Sequence, residues 1–174
     1  MTVLARDVMK SEVTTVQPDT SIEDLIQLLR VSHFTAVPVT DAEGRAVGLI
    51  SETDILRALA YTISPPQSGE FATQPDKPRD KGVTTRILRG AQREHQVHAQ
   101  TVMKELLTRK VQELMTPVVI SCSPEDALST VCETFVWKEI HRVVVVDAER
   151  KVVGLITTLD LAEAFGKDLK SREG

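Results

Sequence analysis

The chain has 174 residues, with 21 Lys and Arg against 25 Asp and Glu and a formal net charge of −4. Apolar residues make up 41% and charged residues 26%, a soluble globular balance that excludes global disorder. No apolar run approaches the roughly 18 residues that span a bilayer, and the first residues lack a basic n-region and apolar h-region, so a cytoplasmic protein with no membrane partner is expected. Aromatic residues are 3% of the chain, too few for a binder that stacks single-stranded bases on aromatic platforms.

Taken in chain order, Val13 to Val16 is a short β-type run. Pro18 then opens a helix that carries Leu25, Leu28 and Leu29 on one face and ends near Ser32. Strands follow at Ala36 to Thr40 and Val47 to Ile50, joined by Asp41-Ala42-Glu43-Gly44 with Gly where a positive φ is needed. A second helix begins after Ser51 and runs through Ile55, Leu56 and Leu59. Residues 64–82 hold four of the eight prolines among polar filler and are expected to be a linker or exposed loop. Residues 83–110 place Ile87, Leu88, Ala91, Val102, Met103, Leu106 and Leu107 at helical spacing among basic residues. Between 77 and 110 nine Lys and Arg face three Asp and Glu, a local +6. That charge suits either an anion- or nucleic-acid-binding arm or a basic amphipathic helix lying on acidic neighbours. The second is favoured, because no reading motif accompanies the charge.

From residue 111 the pattern repeats. Sliding the chain by 106 lays Met9 on Met115, Pro18 on Pro124, Asp41 on Asp147, Gly48 on Gly154 and Asp54 on Asp160, without a gap from Val8 to Leu56. The second copy has a β-type run at Val118 to Cys122 and a helix opened by Ser123-Pro124-Glu125-Asp126, running through Leu128, Val131, Cys132 and Phe135 to Lys138. Strands at Val143 to Val146 and Val152 to Ile156 come next, then a helix after Thr157 through Leu161 and Phe165. Arg150 stands where the first copy has Gly44, so that turn either differs or carries strain. Each copy is β-α-β-β-α, and a unit so small seldom closes its own core. The expected fold is α/β (α+β), two copies packed face to face with pseudo-twofold symmetry. The boundaries are 1–60, a partly helical insert at 61–110, 111–168 and a tail at 169–174.

Cys122 and Cys132 align with Val16 and Ile26, so both are expected to be reduced core residues. His33, His95, His98 and His141 offer no third ligand near the i,i+3 pair at 95 and 98, and no metal site is expected. The chain also shows no Ser/His/Asp arrangement and no phosphate-binding Gly-rich loop, so catalysis is not expected.

The repeated segments Gly48-Leu49-Ile50-Ser51-Glu52-Thr53-Asp54 and Gly154-Leu155-Ile156-Thr157-Thr158-Leu159-Asp160 carry the chemistry. S/T-x-x-D at a helix start is by itself a capping box. The same hydroxyl, free amides and carboxylate can also hold phosphate and ribose, and a Gly at the strand end would let backbone approach a ligand.

With Asp7-Val8-Met9 and Glu113-Leu114-Met115-Thr116 opening the copies, and Val37-Pro38-Val39-Thr40-Asp41 and Val143-Val144-Val145-Val146-Asp147 within them, the chain resembles the tandem CBS (cystathionine β-synthase) domain pair, or Bateman module. That resemblance implies two clefts between the copies for adenine nucleotides (AMP, ADP or ATP), or for S-adenosylmethionine or NAD. It also implies homodimers arranged as four-domain discs and a regulated effector protein. By similarity, one cleft joins Thr14, Thr15, Thr35, Val37 and Pro38 to Thr157 and Asp160. The other joins Ile120, Ser121, His141, Arg142 and Val143 to Ser51 and Asp54. Thr35-Ala36 stands opposite His141-Arg142, so only the second cleft is expected to gain a fixed cation and to bind more tightly. The alternatives are an interaction module without nucleotide and a nucleic-acid binder that uses the basic arm.

Overall fold

The computed structural model describes residues 2–63 and 96–173, so the expected proline-rich loop at 64–82 and the first half of the basic helix lie outside the described residues. The elements are α1 (Ile22–Ser32), β1 (Ala36–Thr40), β2 (Ala46–Ser51), α2 (Glu52–Ile63), α3 (Gln96–Thr108), α4 (Val111–Leu114), β3 (Ser121–Cys122), α5 (Leu128–Lys138), β4 (Arg142–Val146), β5 (Val152–Thr157) and α6 (Thr158–Glu173). A 3-10 turn at Ala5–Asp7 precedes them. Helix α6 runs to Glu173, so most of the expected tail continues that helix.

In each copy a two-stranded antiparallel ribbon carries the same register and the same irregularity. Ala36 pairs with Ser51 and Arg142 with Thr157, with a shift after Val39 and after Val145. The leading strand differs between copies. In the second copy Ser121 and Cys122 pair in parallel with Val144 and Val145, whereas in the first the expected strand at 13–16 shrinks to a single bridge between Val16 and Val39. One residue explains the difference. Val144 donates its N–H to the Ile120 carbonyl at 3.2 Å, but its counterpart Pro38 has no N–H to give.

The helices α1 and α5 start later than Pro18 and Pro124 suggest. Ser21 caps α1, accepting from the Asp24 amide at 3.1 Å, and α5 begins at Leu128 after a turn in which the Ser123 amide donates to Asp126 Oδ2 at 2.8 Å. Their first amides are satisfied from outside their own copy: Ile22 N–H donates to the Arg109 carbonyl at the end of the insert and Leu128 N–H to the Val3 carbonyl, each at 2.9 Å. A tertiary acceptor thus sets the first turn, which the local capping pattern does not reveal. Both helices end on a left-handed residue, His33 (φ 55) and Glu139 (φ 50). The Arg150 turn keeps the Gly44 geometry, at φ 65 against 82, and so stores strain of about 1 kcal/mol.

Each copy lends its leading segment to the other. Leu4 bridges Ala127 and Lys10 bridges Leu155, while Ser21 bridges Lys110 and Leu49 bridges Thr116. The two cores are built accordingly. One gathers Ile22, Leu25, Val37, Val39 and Ile50 with Leu106 and Val111 from beyond the first copy, and helix α3 also buries Val102. The other gathers Val131, Phe135, Val143, Val145 and Ile156 around Ala5. The hairpin tips also pair, Ala46 N–H donating to the Arg150 carbonyl at 3.0 Å and Val152 N–H to the Gly44 carbonyl at 3.1 Å.

Gly48 and Gly154 make this exchange possible. A Cβ on Gly48 would lie 2.5 Å from Met115 Sδ and 3.1 Å from the Thr116 carbonyl oxygen, and one on Gly154 would lie 2.5 Å from Met9 Sδ. Gly48→Ala is therefore expected to cost about 1–3 kcal/mol, and part of that cost is expected to vanish in a Met115→Ala background. Urea denaturation of the double-mutant cycle measures the coupling, and strictly additive losses would rule out this packing.

Candidate functional site

Both S/T-x-x-D segments sit where a ribbon strand turns into a helix; the box at Thr157 is reciprocal, and at Ser51 the carboxylate half of it is formed. Asp54 Oδ2 accepts from the Ser51 amide at 2.9 Å and from Ser51 Oγ at 2.5 Å. Asp160 Oδ2 accepts from the Thr157 amide at 2.8 Å and from Thr157 Oγ1 at 2.6 Å, while Asp160 N–H donates to Thr157 Oγ1 at 3.3 Å. One amide of each helix start is already committed: Glu52 N–H donates to the Thr35 carbonyl and Thr158 N–H to the His141 carbonyl. Each box uses one carboxylate oxygen, and the other faces a cation. Asp54 Oδ1 lies 3.6 Å from Arg57, and Asp160 Oδ1 lies 3.7 Å from Lys10.

The two cations come from different places. Arg57 is one turn along the same helix, and its counterpart 106 residues on is Glu163. Lys10 arrives on the exchanged leader of the first copy and also lies 3.9 Å from Glu163; its counterpart is Thr116. Lys167, and after it Lys10, hold the Glu163 carboxyl below its usual range, so the group is ionised at neutral pH. The expectation that only the cleft with Ser51 and Asp54 gains a cation is thereby corrected. Sequence comparison of the copies at 35 and 141 does not reveal that the leader crosses over.

The remaining predicted residues fall into two groups. Val37, Pro38 and Val143 are fully buried in the ribbons, with Val37 and Val143 packed into the two cores. Ile120 is half-buried against the second core. Thr15 accepts from Thr40 Oγ1 at 3.2 Å, and Thr14, Ser121 and His141 are exposed. Arg142 reaches across the copies, its Nη2 donating to Thr35 Oγ1 at 2.8 Å. That bond joins a residue from each expected set, so Arg142 stands between the clefts. The strand-end glycines serve the methionines of the exchanged leaders, which replaces the expectation that they admit a ligand.

A cavity of about 270 Å³ opens beside Asp54, between α2 and the α3–α4 junction, with Arg57, Arg109, Glu113, Leu114 and Thr116 among its walls. The sequence reading missed Arg57, Arg109 and Glu113. The i,i+3 spacing of Asp54 and Arg57 is a signal for the first, but only the fold brings the other two to it. The Lys110 amide, and after it the Arg109 guanidinium, hold the Glu113 carboxyl below its usual range. Cys122 and Cys132 are free and half-buried; burial, with Asp126 adding, pushes the Cys122 thiol up to about 11. Among the described residues no cluster of ligating side chains could hold a metal, and no helix is long and apolar enough to cross a membrane.

The CBS domain family model matches residues 5–61 and 111–167. The chain belongs to the CBS domain family. Its CBS pair is 28% identical over 162 residues to uncharacterized protein MJ1426 of Methanocaldococcus jannaschii, covering 93% of this chain and 90% of that one. It is 24% identical over 160 residues to the 5′-AMP-activated protein kinase subunit gamma of Dictyostelium discoideum, of which it spans 23%. Among solved structures, the CBS domain pair of protein MJ0100 in complex with 5′-methylthioadenosine and S-adenosyl-L-methionine superposes with a TM-score of 0.66 at 21% identity, covering 97% and 99% of the two chains. CBSX2 in complex with AMP gives 0.65 at 20% identity, covering 94% and 96%.

The capping boxes make a direct prediction. Asp54→Ala and Asp160→Ala are each expected to lower stability by about 1 kcal/mol, and the Asn variants, which keep an acceptor, by less. Thermal denaturation ranks the four variants; melting of all four at the temperature of the unsubstituted chain would show that the boxes contribute nothing.

Proposed function

We propose that the chain is a ligand-sensing regulatory module whose clefts take an adenine nucleotide (AMP, ADP or ATP), with no catalytic step. The observation that carries this reading is the twin carboxylate. Asp54 and Asp160 are each held by a hydroxyl residue at a helix start, with one oxygen left over, as a group accepting ribose hydroxyls requires. Ser51, Thr157, Ile120, Ser121, His141, Arg142 and Val143, with Thr14, Thr15, Thr35, Val37 and Pro38, complete the proposed clefts. The AMP-bound relative supports nucleotide, and the one bound to S-adenosyl-L-methionine supports that ligand as a second reading. A ligand bridging the copies would fix their relative angle, and the state would pass to a partner protein in the cytoplasm. The differential contact that a sensor needs lies in that angle.

Titration of AMP, ADP, ATP, S-adenosylmethionine and NAD by calorimetry, with thermal shift alongside, tests the reading. At about 100 times its dissociation constant a true ligand stabilises by roughly 2.7 kcal/mol. Asp54→Asn is expected to weaken nucleotide binding more than Asp160→Asn. Absence of any shift with all five would leave the interaction module in its place.

The partner proposed for the exposed apolar residues is a second copy of the chain, forming a four-domain disc. Val136 (75% exposed), Trp137 (82%), Leu159 (78%) and Phe165 (63%) lie on helices α5 and α6, and exposed apolar side chains that join into a patch mark an interaction site. Trp137 is the only tryptophan, so its emission should shift blue with rising concentration as sedimentation reports a dimer. Phe165→Glu is expected to abolish both changes, and a monomer at all concentrations would refute the disc.

A further inference from the structure

Two of the four methionines occupy the same place in the two copies. A Cβ on Gly154 would meet Sδ, Cγ and Cβ of Met9 at 2.5, 3.0 and 3.2 Å, and one on Gly48 would meet Sδ and Cγ of Met115 at 2.5 and 3.2 Å. Each sulfur thus rests on the bare face of a buried glycine. Both methionines are only partly buried against their cores, so the thioethers stand at the rim of the packing. The residue after each methionine is bonded twice to the residue after the glycine. Lys10 N–H donates to the Leu155 carbonyl at 2.9 Å and Leu155 N–H to the Lys10 carbonyl at 3.0 Å; Thr116 and Leu49 repeat the pair at 2.9 and 3.0 Å. The strands that carry the glycines, β2 and β5, end at Ser51 and Thr157, the hydroxyl residues of the helix starts.

We propose that Met9 and Met115 are sites of reversible oxidation, at which a peroxide releases each leader from the opposite copy. The thioether sulfur attacks one peroxide oxygen: an S–O bond forms, the O–O bond breaks and the sulfur gives up two electrons. The proton on the transferred oxygen passes to the departing hydroxide, which leaves as water. The product is a bulkier, polar sulfoxide, in a contact that already requires a residue without a side chain. A close-packed junction does not absorb an added oxygen by small shifts, so the leader lifts. With Met9 goes Lys10, which faces Asp160 at 3.7 Å and Glu163 at 3.9 Å. With Met115 goes Thr116, a wall of the cavity beside Asp54. Oxidation at either sulfur therefore alters a helix start from outside it, and thiol-dependent methionine sulfoxide reductases reseat the leader. No ligand takes part, so the lock is independent of the nucleotide reading.

The test exposes the full chain to hydrogen peroxide, with Cys122→Val and Cys132→Ile installed so that no thiol competes; these are the first-copy residues at those positions, Val16 and Ile26. Peptide mass mapping is expected to show one added oxygen on Met9 and on Met115 in the folded protein, after Met103, which is 41% exposed. The unfolding midpoint is expected to fall by at least about 4 °C and trypsin to cut after Lys10 more readily. Both changes are expected to reverse with the two stereospecific reductases and a dithiol. Met103→Leu is expected to leave the response intact, and Met9→Leu with Met115→Leu to abolish it, each variant being compared with its own untreated midpoint. Peroxide that consumes Met103 but neither Met9 nor Met115 would overturn the lock, as would an unchanged midpoint once both are oxidised. Neither of those outcomes depends on the leucine variants folding. A full response in the paired leucine variant would overturn it as well.

Discussion

The structure depends on an exchange. Each copy gives its leading segment to the other, and the contact that fixes the exchange is a methionine sulfur lying where a glycine has no side chain: Met9 over Gly154 and Met115 over Gly48. Neither copy owns a complete core, because Ala5 closes the second copy and Val111 the first. The backbone follows the same logic, with the first amide of α1 donated to the Arg109 carbonyl just before the second copy and that of α5 to the Val3 carbonyl of the first leader. A unit of this size buries too little apolar surface to stand alone. The reciprocal loan makes the pair, rather than the single copy, the folding unit.

The exchange also sets the electrostatics of the clefts. Near-identical capping boxes stand at both helix starts, but the cation facing each spare carboxylate oxygen arrives by a different route. At Asp54 it is Arg57 from the same helix; at Asp160 it is Lys10 from the crossed leader. The crossing therefore turns a pseudo-symmetric scaffold into one with two unlike sites. One site has two arginines facing a cavity, and the other has a single lysine shared by two acids. Arg142, bonded to Thr35 across the copies, stands between them.

Much of the fold was legible because duplication doubles every signal. The ribbons at Ala36–Thr40 and Val152–Thr157 follow from runs of β-branched residues, the hairpin turn from Asp41 to Gly44, and the capping boxes from the S/T-x-x-D spacing. Helix starts were misplaced where local pattern and tertiary partner disagree. Pro18 and Pro124 are good first-turn residues, yet the helices start at Ile22 and Leu128, whose amides find their acceptors at the distant Arg109 and Val3 carbonyls. The leading strand of the first copy was overestimated for a different reason: its pairing fails because Pro38 in the neighbouring strand lacks an N–H.

The duplication, the order of elements within each copy and the two carboxylates at the helix starts follow from the amino-acid order alone, because local spacing and an ungapped offset of 106 residues set them. Long-range packing sets which half each leader joins, why Gly48 and Gly154 carry no side chain, and that Lys10, rather than a residue of the second copy, faces Asp160. The reason is range. A capping bond spans three residues, whereas the contacts of Lys10 and Met9 span about 150, and no periodicity within a copy encodes a partner in the other.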